Sequence, residues 1–152
     1  MTTRRPAREH SGVDYPELAA RTRRFSHGAP RGVTVTANGA HVVFLRSAGP
    51  EDPADRLWVF DVETGAERQV ADPAALLADE GELPAEERAL RERLRLATSG
   101  IGSYTLNAAG SSAVFAFAGR LFRADLRSAE VQEIRTVGAV VDPRPDPTGQ
   151  RI

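Results

Sequence analysis

Val33-Thr34-Val35-Thr36-Ala37-Asn38-Gly39, followed by His41-Val42-Val43-Phe44-Leu45, reads as a strand, a turn and a strand. The pattern returns as Tyr104-Thr105-Leu106-Asn107-Ala108-Ala109-Gly110 and Ser112-Ala113-Val114-Phe115-Ala116-Phe117. It starts a third time at Val141-Asp142-Pro143-Arg144-Pro145-Asp146-Pro147-Thr148-Gly149, before Gln150-Arg151-Ile152. Internal repetition outranks local signals, because the repeat unit fixes the architecture. The turn glycines are 71 residues apart (39 to 110) and then 39 apart (110 to 149). The shorter interval is close to a propeller blade of about 40–50 residues, and the longer is one blade plus an insertion of about 30.

Working outward, Leu57 to Val62 makes a further strand, Glu63-Thr64-Gly65-Ala66 a turn and Glu67 to Val70 a short fourth strand. The second copy closes with Leu121 to Leu126. Four antiparallel strands joined by tight turns make one blade. The predicted fold is therefore all-β with one inserted helix. It is an incomplete β-propeller of about one and a half four-stranded antiparallel blades, the opening piece of a larger protein. Asn38-Gly39 predicts a type I′ turn, with positive φ at both residues. Val33 and Val35 alternate with threonines, which predicts one buried face and one wet face. Val42 to Leu45 is a continuous apolar run, as in a strand covered on both sides.

Residues 1–13 are polar and aperiodic and are read as a disordered arm. Leu18, Ala19, Thr22 and Phe25 fall at helical spacing, and Pro16 suits a helix start, so a helix is expected over Tyr15 to Phe25. Pro73 to Leu77 is read as a helical turn. The insertion then carries Leu83-Pro84-Ala85-Glu86-Glu87-Arg88-Ala89-Leu90-Arg91-Glu92-Arg93-Leu94-Arg95, a helix expected at about 84–97. Acidic residues open it and basic ones close it, which complements the helix dipole. Glu87 and Arg91 form an i,i+4 pair in the favourable order. Such charge alternation by itself describes a solvated helix laced with ion pairs. If the helix instead reaches a cavity, its arginines suit a carboxylate or a carbonyl, because the guanidinium donates in pairs.

The chain has 152 residues, 41% hydrophobic and 27% charged, with a net charge of −1. That balance lacks the basic excess of a nucleic-acid binder. Arg4, Arg5, Arg8, Arg21, Arg23 and Arg24 have no interleaved aromatic platform on which bases would stack. All twenty basic residues are arginine, a compositional bias with little functional content. There is no cysteine, so disulfides and thiolate metal sites are excluded. No apolar run is long enough to cross a membrane, and no apolar core follows the arginine-rich start as a secretory signal requires. A cytoplasmic location is expected, with no cofactor and no metal. Gly-x-Ser-x-Gly does not occur, and His10, His27 and His41 are too scattered to assemble a Ser–His–Asp set. His41, beside a turn, is read as a solvated edge histidine. Trp58 and Phe60, alternating with Leu57 and Val59, are read as packing between blades.

Taken together, Tyr15 to Arg24, Ala29-Pro30-Arg31, Val33 to Gly39 and Leu57 to Gly65 resemble the start of bacterial dipeptidyl peptidase IV-like proteins of the prolyl oligopeptidase clan. Leu83 to Arg95 is the most specific part. It resembles the Glu-Glu, Arg-Glu-Arg helix that bacterial members insert early in their propeller. The resemblance runs from about residue 14 onward. Two turns depart from the usual Pro-Asp-Gly, reading Ala37-Asn38-Gly39 and Ala108-Ala109-Gly110.

The resemblance implies an N-terminal propeller that caps an α/β-hydrolase domain. The whole protein would be a serine exopeptidase releasing N-terminal dipeptides, with proline or alanine second. The propeller would gate and shape the substrate cavity. The catalytic triad would lie in the missing C-terminal domain, so the present chain alone is expected to be inactive. An arginine of the inserted helix would approach the peptide substrate; Arg91, Arg93 and Arg95 are the candidates. Glu86-Glu87 is not the family's ammonium-binding glutamate pair, which lies later on the propeller. The partners implied are the peptide and the hydrolase domain, with a homodimer of the parent possible and neither nucleic acid nor membrane. The rival reading is a non-enzymatic propeller module that binds other proteins.

Overall fold

The computed structural model describes residues 14–77, 100–146 and 149–152. The predicted arm at 1–13 and the predicted helix at 84–97 lie outside the described residues. Two four-stranded antiparallel sheets carry the fold. The first joins β1 (Arg31–Val35), β2 (His41–Ser47), β3 (Asp55–Asp61) and β4 (Glu67–Ala71) in that order. The second joins β5 (Thr105–Leu106), β6 (Ser112–Phe117), β7 (Arg120–Asp125) and β8 (Val131–Ile134) in the same order. Each strand pairs with the next in sequence, which is the topology of a propeller blade. The all-β reading holds, and the second blade is fuller than its sequence suggested. Its fourth strand, β8, pairs Leu121 with Ile134 and Arg123 with Gln132. Val131-Gln132-Glu133-Ile134 is short and half polar, so it carries almost no strand signal of its own.

The blades pack face to face over one core. Val43, Leu45, Leu57 and Val59 of the first sheet meet Ala113, Phe115 and Phe122 of the second, all at most 2% exposed. Phe115 and Phe122 stack with centroids 5.6 Å apart. Each large apolar side chain removed from water contributes about 1.5–3 kcal/mol, so this seam dominates the stability of the pair. Leu57 and Val59 face the seam while Trp58 and Phe60 point to the opposite, outer face of the first sheet, half-buried.

Val33 and Val35 contradict their expected burial. They are 58% and 59% exposed on the outer face, while Thr36 is buried at 4% against the second blade. The threonine side of β1 faces the neighbouring blade, and among the described residues no sheet covers the valine side. A bulge between Arg31 and Thr34 helps set this phase. Gly32 sits in it with φ +59°, a conformation that L side chains resist.

The repeat is reproduced bond for bond at the turns. Thr36 N–H donates to His41 O at 2.9 Å, Asn107 N–H to Ser112 O at 3.0 Å and Asp146 N–H to Arg151 O at 2.9 Å. Gly39, Gly110 and Gly149 then hold φ of +70°, +66° and +72°. Asn38 is not left-handed, so the first turn is not type I′. The Asn38 carboxamide accepts the Ala40 N–H at 3.1 Å, and the Thr36 hydroxyl accepts the His41 N–H at 3.0 Å. These side-chain bonds favour a turn with one left-handed residue over one with two.

A second repeated turn joins the third and fourth strands of each blade. Asp61 Oδ1 accepts both the N–H and the hydroxyl of Thr64, each at 2.8 Å. Asp125 Oδ1 does the same for Ser128, at 2.8 and 3.1 Å. Gly65 and Ala129 follow in equivalent left-handed positions.

Two short helices complete the described structure, α1 (Tyr15–Arg21) and α2 (Pro73–Leu77). The predicted N-terminal helix stops four residues before Phe25. Thr22 is the cause: its hydroxyl donates to Leu18 O at 2.7 Å and accepts the Phe25 N–H at 3.0 Å. That knot turns Arg23, Arg24 and Phe25 into left-handed conformations with φ of +48°, +57° and +62°.

Candidate functional site

The irregular segments gather at one end of the blades. β1 starts, β2 ends, β3 starts and β4 ends there; in the second blade the β6–β7 turn at Ala118-Gly119 lies there too. The opposite end carries the tight turns described above. Both feet of the segment 78–99 stand on the irregular end, because α2 follows β4 and Gly100 returns beside the start of β3. Function concentrates in loops held on a rigid scaffold, which makes this end the candidate site.

Each foot is clamped by an arginine paired with a carboxylate. At the leaving foot, Arg120 Nη1 donates to Leu76 O at 3.1 Å while its Nε donates to Glu133 Oε1 at 2.8 Å. Arg120 is only 9% exposed. At the returning foot, Arg31 donates to Gly102 O at 3.1 Å and to Ile101 O at 3.2 Å, and its Nε pairs with Asp55. Ile101 N–H donates to Asp55 O at 2.9 Å, and the Ile101 side chain is fully buried. The Tyr104 hydroxyl lies 2.6 Å from Gly32 O and 2.7 Å from Val43 O, tying the second blade to the β1 bulge. Burial pushes the Tyr104 phenol above its ordinary range, so it stays protonated and can donate. Arg91, Arg93 and Arg95 lie outside the described residues; the structure places the two ends of the segment that carries them.

A cleft of about 460 Å³ opens at the same end, on the outer face of the first sheet. Arg46 lies 4.6 Å from the Trp58 ring centre and 5.3 Å from that of Phe44, and it forks onto Glu67 at 2.5 and 3.3 Å. Trp58 Nε1–H donates to Arg46 O at 3.0 Å. His27 also lines the cleft, with Nδ1 buried and lacking a hydrogen-bond partner among the described residues. Ser47 is not an activated nucleophile: its hydroxyl accepts the Gly28 N–H at 2.9 Å and donates to Gly49 O at 3.0 Å. The Arg46 charge is answered by Glu67, so the cleft offers aromatic and polar contact rather than a free cation.

The loop beside the cleft is braced by Arg56, which donates to Asp52 at 2.5 Å and to Asp72 at 2.9 Å. Burial pushes the Asp52 and Asp72 carboxyls up, but the Arg56 guanidinium and nearby N–H groups outweigh it and hold both below the ordinary carboxylate range. His41, expected to be solvated, instead approaches Asp61, with Nε2 3.5 Å from Oδ2, while remaining about one-third exposed. Among the described residues no group of three histidines or carboxylates is placed to hold a metal ion, and no helix is long and apolar enough to cross a membrane.

The sequence by itself assigns no role to Arg31, Arg120 or Arg46. Arg31 follows Ala29-Pro30 at a strand start, and Arg120 follows the Ala118-Gly119 turn; position beside a turn was the available signal. No protein-family profile matches the chain. Among solved structures, the crystal structure of TolB from Acinetobacter baumannii is similar, with a TM-score of 0.44 and 10% sequence identity. The match covers 74% of this chain and 22% of that one, so the chain spans under a quarter of that protein's length.

Proposed function

We propose that these blades belong to the N-terminal propeller of a serine exopeptidase that releases X-Pro and X-Ala dipeptides from peptide N-termini. In this reading the blades gate and shape the substrate cavity, and the chemistry belongs to an α/β-hydrolase domain outside this chain. The observation that carries it is the insertion. Residues 78–99 leave and rejoin the scaffold at one end of the blades, each foot clamped by an arginine. In this reading the helix expected at 84–97, which lies outside the described residues, would offer Arg91, Arg93 or Arg95 to a peptide entering from that end. Support for the peptidase class comes from the resemblance carried by Tyr15 to Gly65 and Leu83 to Arg95.

The test begins with the reading frame beyond Ile152. A Gly-x-Ser-x-Gly motif there, and release of chromophore from Ala-Pro and Gly-Pro substrates by the full-length protein, support the reading. Arg91→Ala, Arg93→Ala and Arg95→Ala are then measured singly in that protein. Loss of one charged hydrogen bond to substrate, about 1.5–3 kcal/mol, corresponds to roughly ten- to a hundredfold in kcat/KM. A frame holding only further blades favours the interaction module instead. Turnover by the 152-residue chain alone, surviving removal of contaminants, overturns the assignment of roles.

A further inference from the structure

Both feet of the insertion lead back to one side chain, Arg56 of β3. On the leaving side, Arg56 Nε donates to Asp72 Oδ2 at 2.9 Å. Asp72 in turn holds the start of α2: its Oδ1 accepts the Ala74 N–H at 2.9 Å, and its carbonyl accepts the Leu76 N–H at 3.1 Å. On the returning side, Arg56 Nη1 donates to Asp52 Oδ2 at 2.5 Å and to Ala54 O at 3.2 Å. Ala54 O belongs to the peptide against which Gly100 lies, since a Cβ at Gly100 would fall 2.2 Å from Asp55 N. Asp55 O then accepts the Ile101 N–H at 2.9 Å. One guanidinium therefore stands between the stretch that opens the insertion and the stretch that closes it.

The surroundings make that bridge hard to replace. Among the described residues, Arg56 is the only cation that pairs with Asp52 or with Asp72. Gln69 adds only a longer contact to Asp72, at 3.4 Å. Arg46 stands directly across from Arg56 in the β2–β3 register and is answered by its own carboxylate, Glu67. Like charges facing each other across strands repel, so Arg56 stripped of its carboxylates would be a half-buried cation beside another.

We propose that Arg56 couples the two feet, so that α2 and the return at Gly100–Gly102 open together rather than singly. The guanidinium is held in place by both carboxylates at once, and losing either weakens its hold on the other. Whatever engages one foot is then felt at the other, which is the energetic content of coupling between two sites. The inference rests on these contacts and is independent of the peptidase reading.

Native-state amide hydrogen exchange of the full chain is the test, because it reads local opening residue by residue. The Leu76 amide reports the leaving foot and the Ile101 amide the returning one. Val62 and Leu126, whose N–H groups donate to Ala40 O and Ser111 O at the opposite end, serve as references. Asp52→Asn and Asp72→Asn each remove one charge while keeping an oxygen for the neighbouring N–H of Ala54 or Ala74. Asp52→Asn is expected to speed exchange at Leu76, and Asp72→Asn at Ile101, each by about threefold or more, as members of one network do. Arg56→Gln is expected to speed both feet by about tenfold or more and to leave the references unchanged. Arg56→Lys keeps the charge without the fork and is expected to speed both feet as well. Acceleration confined to the foot that carries the substitution overturns the inference. Equal acceleration at all the amides, feet and references alike, overturns it too. The two asparagine variants carry the decision if Arg56→Gln does not fold.

Discussion

Gly110 lies directly on Thr36: the Cβ that any other residue would bring to position 110 falls 2.9 Å from the Thr36 Cβ and 3.0 Å from its methyl carbon. This is where the second blade locks its register on the first. Gly39 holds nearly the same φ with open space around it, so it serves as an internal control. Gly39→Ala carries only the left-handed penalty, net of the entropy that glycine loses on folding, about 0.5–1 kcal/mol. Gly110→Ala carries that penalty plus overpacking of about 1–3 kcal/mol, a total of about 1.5–4 kcal/mol. Urea melts of both variants check this; equal losses would show that the stack contributes nothing.

Ala129 occupies the place that Gly65 fills in the first blade, with φ of +59° against +71°. The two turns are otherwise bonded alike through Asp61 and Asp125. Alanine pays a steric cost there that glycine escapes, partly offset by the greater entropy glycine loses on folding. Ala129→Gly is therefore expected to stabilise by about 0.5–1 kcal/mol. The reciprocal change, Gly65→Ala, is expected to destabilise by a similar amount. Thermal melts of the pair test the equivalence of the two blades.

What the sequence revealed follows from which features are local. Turn glycines at fixed offsets and β-branched runs show directly, so Val42 to Leu45, Leu57 to Val62 and Ser112 to Phe117 were legible as strands. The facing of Val33 and Val35 was not, because it depends on which side of β1 the second blade takes. β8 was hidden because Gln132 and Glu133 are polar, and the strand forms by pairing with β7 rather than by propensity. The helix end at Arg21 depended on one threonine hydroxyl. The foot clamps, Arg31 with Ile101 and Arg120 with Leu76, span separations of 70 and 44 residues, beyond any local pattern. Of the site, the insertion was legible by its 71-residue interval; its arginines at 91, 93 and 95 fall outside the described residues.

Asp52, Asp72, Asp61 and Asp125 all titrate below the ordinary carboxylate range in the folded chain. For Asp61 the N–H of Thr64 is the main cause, and for Asp125 the N–H of Ser128. A folded pKa below the unfolded one means that the unfolded chain binds more protons in the interval between them. The stabilisation is fully present above about pH 4 and is lost as pH falls through the depressed folded values. Arg56→Gln removes the cation shared by Asp52 and Asp72. It is expected to cost about 1 kcal/mol at neutral pH and to flatten the acid limb of stability against pH. Urea midpoints between pH 2.5 and 7, conditions chosen to bracket about pH 4, give the measurement. An acid limb unchanged by Arg56→Gln would assign the acid sensitivity to the Asp61 and Asp125 turns.

Gly100 is the returning foot of the insertion, and it admits no side chain. A Cβ there would lie 2.2 Å from Asp55 N, 2.8 Å from Asp55 O and 2.9 Å from Ala54 C, all backbone atoms that cannot rotate away. Relief requires the foot to lift. That would break the Ile101 N–H bond to Asp55 O and draw the fully buried Ile101 from the seam between the blades. The Arg31 bonds to Ile101 O and Gly102 O would be displaced with it. Overpacking against fixed backbone costs about 1–3 kcal/mol, and partial loss of Ile101 burial adds about 1–2 kcal/mol. Gly100→Ala is therefore expected to destabilise the chain by about 2–5 kcal/mol, well above Gly39→Ala. Gly102→Ala, two residues on and with nothing within 4 Å, controls for loss of glycine itself and is expected to be nearly neutral. Equal effects at positions 100 and 102 would mean that the foot is not seated on Asp55, and the clamp assigned to Gly100 and Ile101 would fall with it.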